Sequence, residues 1–209
     1  MSKLLVVVGV TGFQGRSVIR WFQQHEPSWR IRGLTRNPSS DAATSLANSR
    51  VEIVRADLND LESLHSVFNG ANYIFAYTDF GGIVGGPDVM GKFKAGQISS
   101  PVGAESFRIE VKHGKNVADA AATVPGLERL VWSAMPDAKK WSKGKYTQVF
   151  HFDAKAAVTE YMLSLKALEG KVSMVQLGIF MNNVAKGLEM FALRMVSFLL
   201  TLFSEETWR

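Results

Sequence analysis

The sequence predicts an α/β protein built on a doubly wound parallel sheet. Short apolar segments alternate with helix-like segments along the chain, which is typical of parallel strands connected by right-handed crossovers. The first apolar segment enters a turn with glycines at positions 9, 12 and 15, and a helix-like segment follows it directly. Strand, glycine turn and helix in this order indicate a Rossmann-like domain, with about six strands in the order 3-2-1-4-5-6.

The predicted strands are short runs rich in β-branched and apolar residues, bounded by glycine, proline or polar residues. They span Leu4–Val8, Arg30–Thr35, Val51–Ala56, Tyr73–Tyr77, Leu130–Ser133 and Val172–Leu177. The predicted helices have apolar or small residues at helical spacing, and caps or breakers mark several of their ends. They run from Arg16 to about His25, from a cap at Asn59 or Asp60 to Phe68, from Ile109 to Ala122 and from Asp153 to Leu168.

Composition narrows the class of protein. A chain of 209 residues with 46% hydrophobic residues can bury a sizeable core in one domain. It has no cysteine, which excludes disulfides and thiolate metal sites, and its four histidines lack ligand spacing, so no metal site is predicted. The net charge of +5 is spread along the chain, which disfavours direct nucleic-acid binding. No secretory signal is visible, so we expect a cytoplasmic protein, with the nucleus as the alternative.

Two stretches interrupt the alternation of strands and helices. Gly81–Ser106 contains seven glycines and two prolines, and we expect a long loop that closes as a lid over the sheet edge, or else a disordered insertion. Val184–Arg209 holds the apolar run Met190–Phe203. That run is shorter than the roughly 20 residues that span a bilayer, so no membrane span is predicted. We expect a helix packed on the core or on a second subunit of a homodimer, with membrane association as the alternative.

The glycine turn indicates dinucleotide binding. The start of a helix offers unpaired N–H groups and a positive dipole end, and glycines allow the backbone to approach a pyrophosphate. The alternative is a purely structural turn. The predicted cofactor contacts in this turn are Gly9, Val10, Thr11, Gly12, Phe13, Gln14 and Gly15.

The residue after the second strand favours NADP(H) over NAD(H). An acidic residue there would bind the ribose 2′-hydroxyl of NAD, but this chain has Arg36 with no acid beside it. A guanidinium suits a 2′-phosphate, although a solvated surface arginine is the alternative. Asp57, after the third strand, is a candidate for the adenine amino group or a helix cap.

Several motifs together resemble the NmrA-like family of atypical short-chain dehydrogenases/reductases. They lie at residues 9–15, 35–38, 56–58, 70–75, 110–119, 151–155 and 176–183, and the resemblance covers about residues 3–183. It implies an NAD(P)-binding domain over residues 1–183. The apolar tail 184–209, which we expect to be helical, is unlike the family pattern, so we expect the substrate region to be largely missing. The resemblance also implies cofactor contacts outside the glycine turn, at Arg36, Asn37, Pro38, Ser39, Ser40, Asp57, Leu58, Thr78, Asp79, Phe80, Lys112, Lys155, Phe180, Met181, Asn182 and Asn183.

The catalytic prediction depends on Lys155. Short-chain reductases carry a Tyr-x-x-x-Lys pair on one helix face, where lysine lowers the tyrosine pKa and binds ribose. Here the pair reads His151-x-x-x-Lys155. His151 is a candidate proton donor, or else a residue that packs near the helix start. Ser133, at the end of the fifth strand, is a further candidate, and relatives similar to isoflavone reductase use a lysine without the tyrosine.

Three functional hypotheses follow. The first is an NADP(H)-dependent oxidoreductase that acts on a small carbonyl or enone metabolite in a secondary-metabolite pathway. The second is a non-catalytic NAD(P) sensor that binds a transcription regulator, with Gly81–Ser106 as its switch. The third is an inactive relative, because family members usually continue beyond the sixth strand to build a substrate pocket.

Overall fold

A computed structural model of the chain describes residues 2–98 and 102–178. The predicted tail and the predicted cofactor contacts Phe180, Met181, Asn182 and Asn183 lie outside these residues. Six parallel strands form one sheet in the order β3-β2-β1-β4-β5-β6, which confirms the predicted fold class and strand order. The strands are β1 Leu4–Val8, β2 Arg30–Thr35, β3 Val51–Arg55, β4 Tyr73–Ala76, β5 Arg129–Ala134 and β6 Val172–Gln176.

Helices connect the strands and cover both faces of the sheet. They are α1 Phe13–His25, α2 Asp41–Ala47, α3 Leu61–Phe68, α4 Phe80–Val84, α5 Pro87–Lys94, α6 Val102–Ala122, α7 Ala138–Trp141 and α8 Phe150–Ser164, followed by a short 3-10 helix at Lys166–Leu168. Asp60 caps α3, as one of the two predicted caps. The last predicted helix begins at Phe150 rather than Asp153 and ends its α-helical part at Ser164.

Alternate residues of β1 build the two sides of the core. Leu4, Val6 and Val8 belong to a buried cluster with residues of α3, α6 and α8. Leu5 and Val7 belong to a second cluster with Ile19 of α1. Both faces of β1 are therefore buried, as expected for a central strand of a parallel sheet covered by helices.

The prediction of a long irregular loop at Gly81–Ser106 is wrong in the described part of that segment. It contains α4, α5 and the first turn of α6. The side chain of Asp79 caps α4 by accepting the Gly82 N–H at 3.0 Å, and Pro87 occupies the start of α5, a position that proline favours. The many glycines concealed these helix-start signals. Movement of the segment as a lid stays a prediction.

Helices α6 and α8 pack closely at a glycine. A Cβ atom on Gly114 of α6 would overlap the side chain of Val158 of α8. The close approach brings together residues one turn earlier on the two helices, Glu110 and Lys155, whose side chains form a buried ion pair. The glycine therefore sets the distance between the two helices at the site described below.

We predict that Gly114→Ala destabilises the fold. Alanine favours a helix over glycine by about 1 kcal/mol, but overlap with Val158 would cost about 1–3 kcal/mol. Thermal unfolding should therefore show a lower Tm. Gly91→Ala is the matched control, because Gly91 lies inside α5 with open space around its Cα, and it should raise Tm. An increase in Tm for both variants would contradict the close packing.

Candidate functional site

The glycine turn lies where the strand order of the sheet reverses, between β1 and β4, the usual ligand position in such sheets. Gly9 adopts a φ of +66°, and the Gly12 N–H donates to the Gly9 carbonyl at 2.9 Å. Gly12 is the N-cap of α1 and supplies no side-chain cap. A Cβ on Gly15 would lie 2.5 Å from the Gly9 carbonyl oxygen, so that glycine permits close packing of α1 on the turn.

Tyr77, which sequence reasoning did not assign to the site, packs against this turn. Its hydroxyl donates to the Gly9 carbonyl at 3.1 Å, and a side chain at Gly12 would overlap the phenol. Burial, with a smaller contribution from the charge of Asp79, raises the pKa of Tyr77. The phenol therefore stays neutral at physiological pH and holds the turn at the end of β4.

The groups at the turn fit a dinucleotide. The first N–H groups of an α-helix have no partner within the helix, and Gly12 leaves these donors of α1 without a side-chain cap. The side-chain oxygen of Gln14 is buried without a hydrogen-bond partner. A buried polar atom without a partner is uncommon and indicates a place for a ligand or water.

The ends of β2 and β3 form a second part of the site. Arg36 follows β2 and is exposed. The carboxylate of Asp57, after β3, accepts the Asn59 N–H at 2.8 Å. His113 of α6 lies within electrostatic range of both. The structure thus brings together Arg36, Asp57 and His113. Arg36 and Asp57 were predicted site residues. His113 was not, because its sequence position is typical of a residue on a helix surface.

Further predicted cofactor contacts, most of them near Asp57 or Arg36 in the sequence, are ordered by hydrogen bonds. Lys112 donates to the Asn59 side-chain oxygen at 2.7 Å, and the Leu58 carbonyl accepts from Asn116 at 2.8 Å. Ser40 caps α2. The side-chain oxygen of Asn37 accepts the Ser39 N–H at 3.2 Å. These bonds order both connections at the carboxyl edge of the sheet.

Lys155 lies beside the end of β4 and is almost fully buried. Its ammonium donates to the Thr78 carbonyl at 2.7 Å, to the Thr78 hydroxyl at 2.9 Å and to the carboxylate of Glu110. Glu110 is fully buried. Sequence reasoning did not assign Glu110, because a glutamate in a polar helical stretch is normally a surface residue.

The other two catalytic candidates lie apart from the Lys155 ammonium. His151 is exposed in the first turn of α8, with its ring 5.8 Å from the ring of Phe80. Ser133 is buried in β5, where its neighbours Trp132 and Ala134 belong to the cluster containing α8 residues. Since side chains alternate along a strand, Ser133 points to the opposite face of the sheet. Among the described residues, no hydrogen bond joins Lys155 to either of them.

A cavity of about 650 Å³ lies beyond the end of β5. Met135, Trp141, Phe152 and Gln176 are among the residues that line it, and Trp141 is 77% exposed. The cavity is on the β6 side of the sheet, away from the glycine turn. Its lining also includes the polar residues Asp137, Thr159 and Glu160.

The described residues contain neither a cluster of metal ligands nor a membrane-spanning helix. Within residues 2–98 and 102–178, no group of three or more His, Asp or Glu side chains is placed to hold a metal ion. No helix in the same part of the chain has the length and apolar character needed to cross a membrane.

The fold and the glycine turn are those of a Rossmann-like α/β domain. Residues 1–196 match the model of the NmrA-like family, and the chain belongs to this family. It is 29% identical over 181 residues to an NmrA-like family domain-containing oxidoreductase of Penicillium ochrochloron, which covers 87% of this chain and 48% of that protein. It is 31% identical over 169 residues to one of a Cladobotryum species, with coverages of 81% and 44%. The chain thus spans about half the length of these curated relatives.

The solved structures agree on the fold. NmrA, described as a negative transcriptional regulator, superposes with a TM-score of 0.65 at 23% identity, over 88% of this chain and 48% of that one. NmrA has been solved with NAD and with NADP bound. At 23–24% identity these likenesses show that the fold is shared.

We predict that His113 makes stability depend on pH. Burial lowers the pKa of His113, and the charges of Lys112 and Arg36 lower it further, while Asp57 opposes the shift. The unfolded chain therefore binds more protons than the folded one as pH falls below about 6.5, and stability decreases in that range. Calorimetric Tm values between pH 7.5 and 5 should fall less steeply for His113→Gln. His25→Gln, at an exposed histidine on α1, is the control, and equal slopes for wild type and His113→Gln would contradict the prediction.

Proposed function

We propose that residues 1–183 form the NADP(H)-binding domain of an oxidoreductase that reduces a small carbonyl or enone metabolite. The observation that carries the preference for NADP(H) is Arg36. It comes directly after β2, the strand that pairs with β1 beside the glycine turn. Within residues 2–98 and 102–178, it makes no ion pair with an acidic side chain. A free guanidinium there suits a ribose 2′-phosphate better than a 2′-hydroxyl.

In this proposal, different described residues bind different groups of the cofactor. The start of α1 binds the pyrophosphate through its N–H groups, Arg36 binds the 2′-phosphate and Asp57 accepts from the adenine amino group. Lys155 and Thr78 hold the nicotinamide ribose at the end of β4, where one N–H of Lys155 exchanges its bond to Thr78 for a ribose hydroxyl. The cofactor supplies hydride when bound, and the chain supplies position and charge.

The substrate side of the proposal rests on the cavity beyond β5. Its lining by Met135, Trp141 and Phe152 favours a molecule with an apolar surface. His151 is exposed at the start of α8, with its ring 5.8 Å from the ring of Phe80, and it is the proposed proton donor for the reduced oxygen or carbon. Ser133 has no role in this proposal because it points to the other face of the sheet.

A non-catalytic NAD(P) sensor is the second candidate function, and two observations favour it. All the N–H donors of the Lys155 ammonium are bound to Thr78 and Glu110, and no tyrosine stands at position 151. Such a chain would bind the dinucleotide without turnover and pass its occupancy to a transcription regulator. The solved structures of NmrA, described as a negative transcriptional regulator, make this class of partner reasonable.

We predict that Arg36→Ala lowers the affinity for NADP⁺ and NADPH about ten- to a hundredfold, because a charge-assisted hydrogen bond contributes about 1.5–3 kcal/mol. Affinity for NAD⁺ should change little. Isothermal titration calorimetry with all four nucleotides measures this directly. Arg20→Ala, at an exposed arginine in the middle of α1, is the matched control. Equal losses for NADP⁺ and NAD⁺, or none, would contradict the assigned role of Arg36.

We predict that the protein oxidises NADPH when apolar quinones, enones or aromatic aldehydes are supplied as substrates. The reaction is measured as a loss of absorbance at the nicotinamide band. Lys155→Met should abolish this activity and His151→Phe should lower kcat more than it raises KM, since a proton donor acts in the transition state. Tight nucleotide binding without oxidation of NADPH by any compound would instead support the sensor. No nucleotide binding at all would support an inactive relative.

A further inference from the structure

Glu110 is a buried acid that the proposed chemistry does not yet use. Its side chain is fully shielded from solvent. One carboxylate oxygen accepts from the Lys155 ammonium and from the Thr78 hydroxyl, the latter at 2.6 Å. The other carboxylate oxygen is buried and has no hydrogen-bond partner. The residue thus holds two groups of the proposed nicotinamide site while part of its own hydrogen-bonding capacity stays unused.

The same contacts immobilise Lys155. An ammonium group has three N–H donors, and those of Lys155 are directed to the Thr78 carbonyl, the Thr78 hydroxyl and Glu110. The hydroxyl of Thr78 accepts from the lysine and donates to the glutamate. The charge of Lys155 is therefore fixed at the end of β4 by an acid that reaches it from α6.

Stability alone does not account for this arrangement. Burial of an ion pair costs desolvation energy, and well-packed apolar residues of similar size often replace such pairs without loss of stability. The unpartnered oxygen of Glu110 adds a further cost. An arrangement that is unfavourable for folding but orders Lys155 and Thr78 indicates a functional role.

We propose that Glu110 is a positioning residue of the cofactor site. It acts through Lys155 and Thr78, which it fixes at the carboxyl end of β4, and it does not contact the cofactor itself. The proposal rests on the proposed function, because it assumes that Lys155 and Thr78 hold the nicotinamide ribose. The glycine at position 114 makes the arrangement possible, because it lets α6 approach α8 closely.

A double-mutant cycle tests the proposal. The variants are Glu110→Gln, Lys155→Met and the pair combined, and the readout is the Kd for NADPH from its fluorescence. Each single change should weaken binding about tenfold. The combined variant should bind no more weakly than Lys155→Met alone, because Glu110 acts only through the lysine. Glu105→Gln is the control on the same helix, since Glu105 pairs with Lys92 and Arg108 and should leave the Kd unchanged.

Thermal unfolding of the same variants separates positioning from stability. Glu110→Gln leaves the lysine charge buried and unpaired, so Tm should fall by about 10 °C. If that variant fails to fold, Glu110→Met combined with Lys155→Met carries the test, because it should keep a Tm close to that of the wild type. This apolar pair should still show the weakened Kd of Lys155→Met.

Three results would overturn the proposal. They are a wild-type Kd in Glu110→Gln, additive losses of affinity in the combined variants, and a low Tm for the apolar pair, which would indicate a structural role. In each case the proposed function stands if the wild type binds and oxidises NADPH. A wild-type protein that does not bind NADPH would overturn the proposed function and this proposal together.

Discussion

The burial of β1 on both faces is the constraint on which the rest of the structure depends. All five of its residues are shielded from solvent, and it pairs with β2 on one side and β4 on the other. Alternate side chains supply both core clusters. Because the chain must leave this strand through a tight turn into α1, the glycine turn opens at the point where the strand order reverses. The position of the candidate site follows directly from the burial of the strand.

A second constraint is the contact between α6 and α8. Gly114 allows the two helices to approach closely, and one turn earlier Glu110 and Lys155 meet at the end of β4. The glycine turn and this ion pair lie on either side of the segment Tyr77–Thr78, since Tyr77 contacts the turn and Thr78 contacts the pair. The end of β4 therefore contacts both the glycine turn and the Glu110–Lys155 ion pair.

Local patterns in the sequence were enough to predict the strands, their order and the glycine turn. Each of these depends on a run of neighbouring residues, such as the five apolar residues of β1 before Gly9. The helices α4 and α5 were not predicted, because the many glycines of this segment are typical of a loop and concealed the helix-start signals at Asp79 and Pro87. The pairing of Glu110 with Lys155 was missed because 45 residues separate them, and only the packing of α6 on α8 brings them together. Tyr77 and His113 were missed for the same reason, since their roles arise from tertiary contacts.

In the proposed function, the glycine turn and the end of β4 together bind a dinucleotide. Backbone hydrogen exchange, measured with and without NADPH, tests it most directly, because bound phosphate and ribose protect the amides that they contact. With NADPH present, exchange should slow at residues 12–15, at the non-proline residues of 36–40 and at Thr78–Asp79. Protection confined to the cavity around Trp141, or no change at the glycine turn, would contradict it.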